Sequence, residues 1–217
     1  MAETAVLFSK KYTPAMLADI PKMIPEKLNL PDADVWFYPG VFTTLESERL
    51  LTELITTTAW RHDKIKLFGK EFWQPRLSAW YADAGKSYAY SNLQLNPLPW
   101  TPVLLEIKAR VEATVPHTFN SVLLNYYRHG QDSMGWHADD EPALGLNPVI
   151  ASVSLGAGRR FDLRHKHRKD VPKTSLYLTD GSILLMRGAT QHFWQHQLPK
   201  TARVNEARLN LTFRTII

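Results

Sequence analysis

The second half of this 217-residue chain is a series of short β-branched and aliphatic runs separated by turn residues, and that pattern narrows the possible folds most. Val122–Tyr127, Val149–Leu155, Ser182–Met186 and Leu209–Arg214 read as strands. His129-Gly130, Gly156-Ala157-Gly158, Asp180-Gly181 and Arg187-Gly188 supply the turns between them. Upstream the periodicity is helical. Thr43-Thr44-Leu45-Glu46 fits a capping box, followed by Leu50, Leu51, Leu54 and Ile55 at helical spacing. Thr101 caps a second helix that opens on Pro102 and continues through Val103, Leu104, Ile107 and Val111. Helices early and strands late predict an α+β chain whose C-terminal half is a sandwich or barrel. Residues 1–40 carry Pro14, Pro21, Pro25, Pro31 and Pro39 and read as a partly irregular lead-in. No internal repeat, low-complexity tract or linker divides the rest, so one domain is expected over residues 41–217.

Cysteine is absent, which excludes a disulfide framework, a thiolate metal site and a catalytic thiol. No apolar run approaches the roughly 18 residues of a membrane span. The opening Met-Ala-Glu-Thr-Ala-Val-Leu lacks the basic flank and apolar stretch of a secretory signal. The expectation is a soluble intracellular protein without a membrane partner, cytoplasmic if bacterial and nuclear if eukaryotic.

The net charge of +5 is local. Between Gly156 and Lys173, seven Lys/Arg stand against Asp162 and Asp170, so the remainder of the chain balances to zero. A second basic stretch runs from Arg61 to Arg76. Clusters of this kind suit a polyanion such as nucleic acid, although a solvated loop is the commoner explanation of an isolated charge run.

His137 and Asp139 stand two residues apart, and on a strand both would project from one face. Two His and one carboxylate form the facial triad of non-haem Fe(II) oxygenases. The distant second His would come from Gln191–His196, where His192 and His196 are equivalent by strand periodicity. A lone His-x-Asp is weak, and His165-Lys166-His167 reads as solvated within the basic run. The last strand adds weight. Arg208, Asn210, Thr212 and Arg214 alternate with Leu209, Leu211 and Phe213, so one face carries two guanidinium groups. On an inward face they would be costly without an anion.

These motifs together resemble the AlkB family of Fe(II)/2-oxoglutarate dioxygenases. The likeness rests on His137-x-Asp139, His196 and Arg208-x-Asn210-x-Thr212-x-Arg214. It extends through Asn125-Tyr126-Tyr127-x-x-Gly130, Pro148–Gly156 and His192–Pro199, covering about residues 60–217. Phe68-Gly69-Lys70, Pro75-Arg76 and Asp83–Ser91 look most like the DNA-repair branch typified by human AlkB homologue two. The resemblance implies a double-stranded β-helix (jelly-roll) core over residues 120–217, with N-terminal helices and a nucleotide-recognition lid over residues 60–99. It implies Fe(II) held by His137, Asp139 and His196, with O2 and 2-oxoglutarate as co-substrates. Asn125, Tyr127, Arg208, Asn210 and Arg214 would hold 2-oxoglutarate, Arg214 at its distal carboxylate and Arg208 near the metal. Asp140 would then pair with Arg208; without the family it reads as a solvated loop acid. Tyr88, Tyr90, Asp140 and Glu141 would line the base pocket, and Phe68 would wedge into the duplex where a base is flipped out. The loop Asp140–Gly145 departs from the familiar repair enzymes. Arg76, Arg159, Arg164, Lys166, Arg168 and Lys169 are candidates for nucleic-acid backbone contacts. The implied activity is oxidative removal of N-alkyl groups, as in 1-methyladenine and 3-methylcytosine, from DNA by a monomer. An RNA demethylase of the same family and a non-catalytic nucleic-acid-binding module are the alternatives.

Overall fold

The computed structural model describes residues 24–67, 69–86, 88–90, 93–95 and 97–217. Phe68 lies outside the described residues. Both helices start where their caps require. Helix α1 (Thr44–Thr57) has both halves of its capping box: Glu46 N–H donates to Thr43 Oγ1, and Thr43 N–H donates to Glu46 Oε2. In α2 (Pro102–Thr114) Thr101 Oγ1 accepts from Leu104 N–H, while Pro102 occupies a first-turn position that needs no donor.

The strands build two facing antiparallel sheets. The larger is formed by β1 (Glu26–Lys27), β2 (Asp34–Tyr38), β5 (Leu77–Ala82), β8 (Ser121–Tyr127), β10 (Ile150–Gly156), β13 (Ser182–Arg187) and β15 (Arg208–Arg214). Their order is β1-β2-β13-β10-β15-β8-β5. The smaller contains β9 (Met134–His137), β11 (Arg159–His165), β12 (Thr174–Leu178) and β14 (Trp194–Leu198), in the order β12-β11-β14-β9. Two ribbons stand apart: β3 (Lys64–Leu67) with β4 (Lys70–Trp73), and β6 (Tyr88–Tyr90) with β7 (Leu93–Leu95).

Both faces of the larger sheet are buried, against different neighbours. Leu209, Leu211 and Phe213 join Leu50 and Leu54 of α1 and Leu104, Ile107 and Val111 of α2 in one core. Phe161, Leu163, Trp194 and Leu198 from the smaller sheet meet Ile150, Leu184 and Met186 in a second core between the sheets. The polar face of β15 therefore points into the interior, where every residue from Arg208 to Arg214 is buried.

Three sequence expectations change here. The lead-in contains β2, which pairs with β13 through Val35↔Met186 and Phe37↔Leu184 and so belongs to the main sheet. The basic run contains β11, where Phe161 and Leu163 point inward while Arg160 and Arg164 point out. Residues 190–193 form one helical turn before β14 begins at Trp194, so His192 and His196 do not share a strand face. His192 is instead exposed and meets the carbonyl of Leu146 and the side chain of Asn147.

Candidate active site and metal centre

Strand register brings the two histidines together. His196 of β14 lies opposite His137 of β9, with ring centroids 4.2 Å apart. The strand ends at His137, and Asp139 reaches the same point from the following loop, Oδ1 lying 3.9 Å from His137 Nε2. One ligand atom from each of His137, Asp139 and His196 falls within 4.8 Å of the others, so the three could hold one ion. His137 Nδ1 lies 2.9 Å from the carbonyl of Gly135; donation there leaves the Nε2 lone pair for a metal. Phe161 stacks on His196 at 5.2 Å.

The electrostatics prepare two of these groups, Asp139 and His196. Burial would raise the Asp139 carboxyl, but Arg214, His196 and His137 outweigh it and hold its pKa at about 2. His196 is pushed down to about 3, first by burial and then by His137, with Asp139 opposing. At neutral pH the site offers a carboxylate and a neutral imidazole, the forms that bind a divalent cation.

One cavity is lined by this triad and by Asn125, Tyr127, Arg208, Asn210 and Arg214. Arg214 Nη2–H donates to Asp139 Oδ1 at 2.9 Å, so Arg214 stands at the metal end. Arg208 lies six residues earlier, about 20 Å away along an extended strand. The expected order of the two arginines is thus reversed. Alternation puts both side chains on one face, but which end of β15 meets β9 and β14 is a matter of tertiary packing. Asp140 pairs with Lys166 at 2.8 Å rather than with Arg208, because Arg208 occupies the opposite end of the cavity.

Arg208 is the clearest sign of an anion. Its Nη2–H donates to Ser154 Oγ at 2.9 Å, its guanidinium lies 5.3 Å over the Tyr127 ring, and its Nε has no hydrogen-bond partner among the described residues. Burial, with Arg159 adding and Tyr127 opposing, lowers its pKa to about 10. A buried guanidinium with a free N–H facing a cavity suits a carboxylate. Asn210 Nδ2 donates to Ser152 Oγ at 2.7 Å and its Oδ1 accepts from Thr212, which orders the polar strip. The donor set therefore fits Fe(II), and the buried Arg208 fits one carboxylate of a dicarboxylic acid.

Two basic candidates are not surface groups. Arg76 is buried, and its Nε–H donates to Asn125 Oδ1 at 2.8 Å, so it braces the cavity wall instead of facing a nucleic-acid backbone. Arg159 is also buried; its Nη2 donates to the carbonyls of Asp132 at 2.9 Å and Pro199 at 2.8 Å, tying loops together. Lys166 is largely enclosed by Asp140 and the carbonyl of Gln191. Arg164, Arg168 and Lys169 are exposed. Arg164 covers the Trp136 ring at 4.3 Å and donates to Gln195, while Arg168 pairs with Asp170 at 2.8 Å. His165, expected in solvent, is buried, its Nδ1 accepting from the N–H groups of His167 and Arg168. Glu141 has a buried Oε2 without a hydrogen-bond partner among the described residues. Tyr88 and Tyr90 lie on β6 opposite Leu95 and Leu93, and their side chains are outside what is described.

Sequence reasoning missed Ser152, Ser154 and Gln191. The serines occupy alternate positions in an otherwise apolar run, which was a readable signal of a polar interior face. Gln191 carried no such mark.

Residues 34–214 match the 2OG-Fe(II) oxygenase superfamily, and the chain belongs to it. Its relatives narrow that class to the AlkB proteins. The chain is 42% identical over 190 residues to mouse alpha-ketoglutarate-dependent dioxygenase alkB homolog 3, covering 84% of this chain and 66% of that protein. It is 41% identical over 189 residues to mouse DNA oxidative demethylase ALKBH2, covering 83% of this chain and 79% of that one. The chain thus spans just under two thirds of the homolog 3 protein. The solved structure of OsALKBH1 shares the fold, with a TM-score of 0.60 at 17% identity over 88% of this chain and 100% of that one.

Proposed function

We propose that this chain oxidatively dealkylates nucleobases in DNA, with 1-methyladenine and 3-methylcytosine as the lesion type. The observation that carries the reading is one cavity holding His137, Asp139 and His196 at one end and the buried, incompletely paired Arg208 at the other. Relatives named as DNA oxidative demethylases support the substrate class. In this reading His137, Asp139 and His196 bind Fe(II), Arg208 takes the far carboxylate of 2-oxoglutarate, and Arg214 neutralises Asp139 beside the metal. Asn125, Tyr127 and Asn210 complete the co-substrate wall. Fe(II) held by His137, Asp139 and His196 would supply, with 2-oxoglutarate and O2, the oxidation of an N-methyl C–H bond to a hemiaminal, with succinate and CO2 as the other products. The resulting hemiaminal loses formaldehyde and restores the base.

The protein's share is positioning and exclusion of water. Asp139 remains ionised, His196 remains neutral, and the apolar groups of Met134, Phe161, Met186 and Leu198 line the cavity between them. Tyr88, Tyr90 and the acidic pair Asp140 and Glu141 are proposed for the base, Phe68 for the duplex wedge, and Arg164, Arg168 and Lys169 for backbone phosphates.

The test is formaldehyde release and base restoration from a 3-methylcytosine oligonucleotide, single- and double-stranded, with Fe(II), 2-oxoglutarate and ascorbate. Turnover is expected with the wild-type chain and none with His137→Ala. Phe68→Ala is expected to lose activity on duplex while keeping it on single strands. No turnover on either DNA form, with metal and 2-oxoglutarate binding intact, would overturn the substrate assignment and bring RNA forward.

A further inference from the structure

The loop after His137 carries the only triad member that no strand holds, since β9 stops at His137. Asp139 is nevertheless buried, and its backbone N–H is not left to water: it donates to the side-chain Oε1 of Gln191 at 2.9 Å. Gln191 is itself 1% exposed, with its amide nitrogen 3.6 Å from Met186 Sδ. The carbonyl of the same residue accepts from Lys166 Nζ at 2.8 Å, and that ammonium also holds Asp140 Oδ2 at 2.8 Å. One residue thus reaches two consecutive acids, Asp139 directly and Asp140 through Lys166.

The turn bearing Gln191 is anchored from behind. Thr190 Oγ1 donates to the carbonyl of Arg187 at 2.6 Å and accepts from Asp34 N–H at 2.9 Å. Arg187 Nε in turn donates to Asp34 Oδ2 at 2.6 Å. A continuous polar chain therefore runs from β2, through Thr190 and Gln191, to the loop that presents Asp139.

We infer that Gln191 and Lys166 form a clamp that positions the Asp139–Asp140 segment, so that Lys166 is a positioning residue and not a contact to nucleic-acid phosphate. The inference rests on the reading of Asp139 as a metal ligand. Its physical basis is that a carboxylate on an unpaired loop has backbone freedom that two strand-borne histidines lack, and bonds to the loop's own N–H and to the next side chain remove that freedom. Lys166 has the geometry for this and little left over: its side chain is 18% exposed, against 53% for Asp140.

Titration of metal-free protein with Co(II), followed by calorimetry and visible absorption, tests the clamp without DNA. Gln191→Leu is expected to weaken Co(II) binding by about 10- to 100-fold, the scale of lost outer-shell support. Lys166→Met and Asp140→Asn are each expected to weaken it by about two- to fivefold, with the double variant no worse than either single one. Lys166→Arg should restore most of the affinity. Thermal melts accompany each variant; Lys166 and Asp140 sit at the surface end of the clamp, so their variants report even if Gln191→Leu unfolds. Unchanged Co(II) affinity in folded Gln191→Leu, or in Lys166→Met and Asp140→Asn, overturns the clamp. So does a Lys166→Met variant that binds Co(II) normally and loses only salt-dependent DNA affinity. Because the titration needs no alkylated base, its result is independent of the demethylation assay.

Discussion

Arg208 and Arg214 look alike in the sequence, at the two ends of one alternating segment, yet the structure gives them different work. Arg214 is engaged by Asp139 at 2.9 Å and helps keep that carboxyl ionised. Among the described residues, Arg208 donates from Nη2 to Ser154 and has no hydrogen-bond partner on Nε, which is left to an incoming anion. Arg208→Met is therefore expected to raise the KM for 2-oxoglutarate by about 10- to 100-fold, the equivalent of about 1.5–3 kcal/mol for hydrogen bonds to a charged group. Co(II) affinity should hardly move, since the residue stands at the other end of the cavity. Steady-state kinetics against 2-oxoglutarate concentration, beside a Co(II) titration, make the check; equal losses in both would remove the assigned division of labour. The same contrast separates the basic residues. Arg159 and Arg164 belong to one strand with one charge, but the odd positions of β11 are buried while Arg160 and Arg164 are exposed; the even-numbered Asp162 is covered by Ser175 and Gln197, which donate to it. Charge counting could not distinguish them, and strand parity does.

The elements form where local chemistry demands, and the two helices were legible for that reason. Thr43 with Glu46, and Thr101 with Pro102, satisfy donors within a few residues of themselves, so no distant partner is needed to specify them. The strands with near-continuous apolar runs, β8, β10 and β13, were legible too, as was β15 by its strict alternation. Strands β11 and β12 were not, because outward residues interrupt their apolar pattern, as Arg160 and Tyr177 do, and the strand expected over Gln191–His196 starts only at Trp194. Gly156 at the end of β10 shows how tightly such a junction is set. Its φ is +83°, a Cβ there would lie 2.5 Å from the Ala207 carbonyl oxygen, and its N–H donates to Asp180 Oδ1 at 2.7 Å. Gly156→Ala should destabilise the fold by about 1–3 kcal/mol through left-handed strain and that close approach. A shift of the urea midpoint measures it, and an unchanged midpoint would mean that the turn relaxes freely.

At the scale of the whole molecule, carboxylates fasten segments to one another, two of them across long stretches of sequence and one within a turn. Asp34 joins β2 to β13 through Arg187, Glu46 joins α1 to α2 through Arg110, and Asp132 closes the turn after β8 through Arg128. In each, burial works to raise the pKa and is more than offset, by Arg187 and Trp36 at Asp34, by Thr43 and Arg110 at Glu46, and by Arg128 at Asp132. Folded values below the ordinary 3.8 of Asp and 4.5 of Glu mean that the unfolded chain binds more protons in that window. Their stabilisation is thus complete above about pH 4.5 and is lost as pH falls through the folded values. His117, lowered from 6.5 by burial with Glu112 partly opposing, has the same sign and begins to act below that value. Denaturant midpoints measured from about pH 7 to about pH 3 should fall monotonically, and a rise on acidification would contradict these pairings. The sequence by itself determined the residue types of the site, the helix starts, the alternation of β15 and the resemblance of their combination to one family, since each follows from local spacing. Only the tertiary structure decided that His196 and not His192 meets His137, that Arg214 and not Arg208 meets Asp139, and that Gln191 and Lys166 hold the loop between them. Those choices depend on which strands pair, in what register and with which end toward which, and chain segments far apart in sequence settle them by burying their apolar faces together.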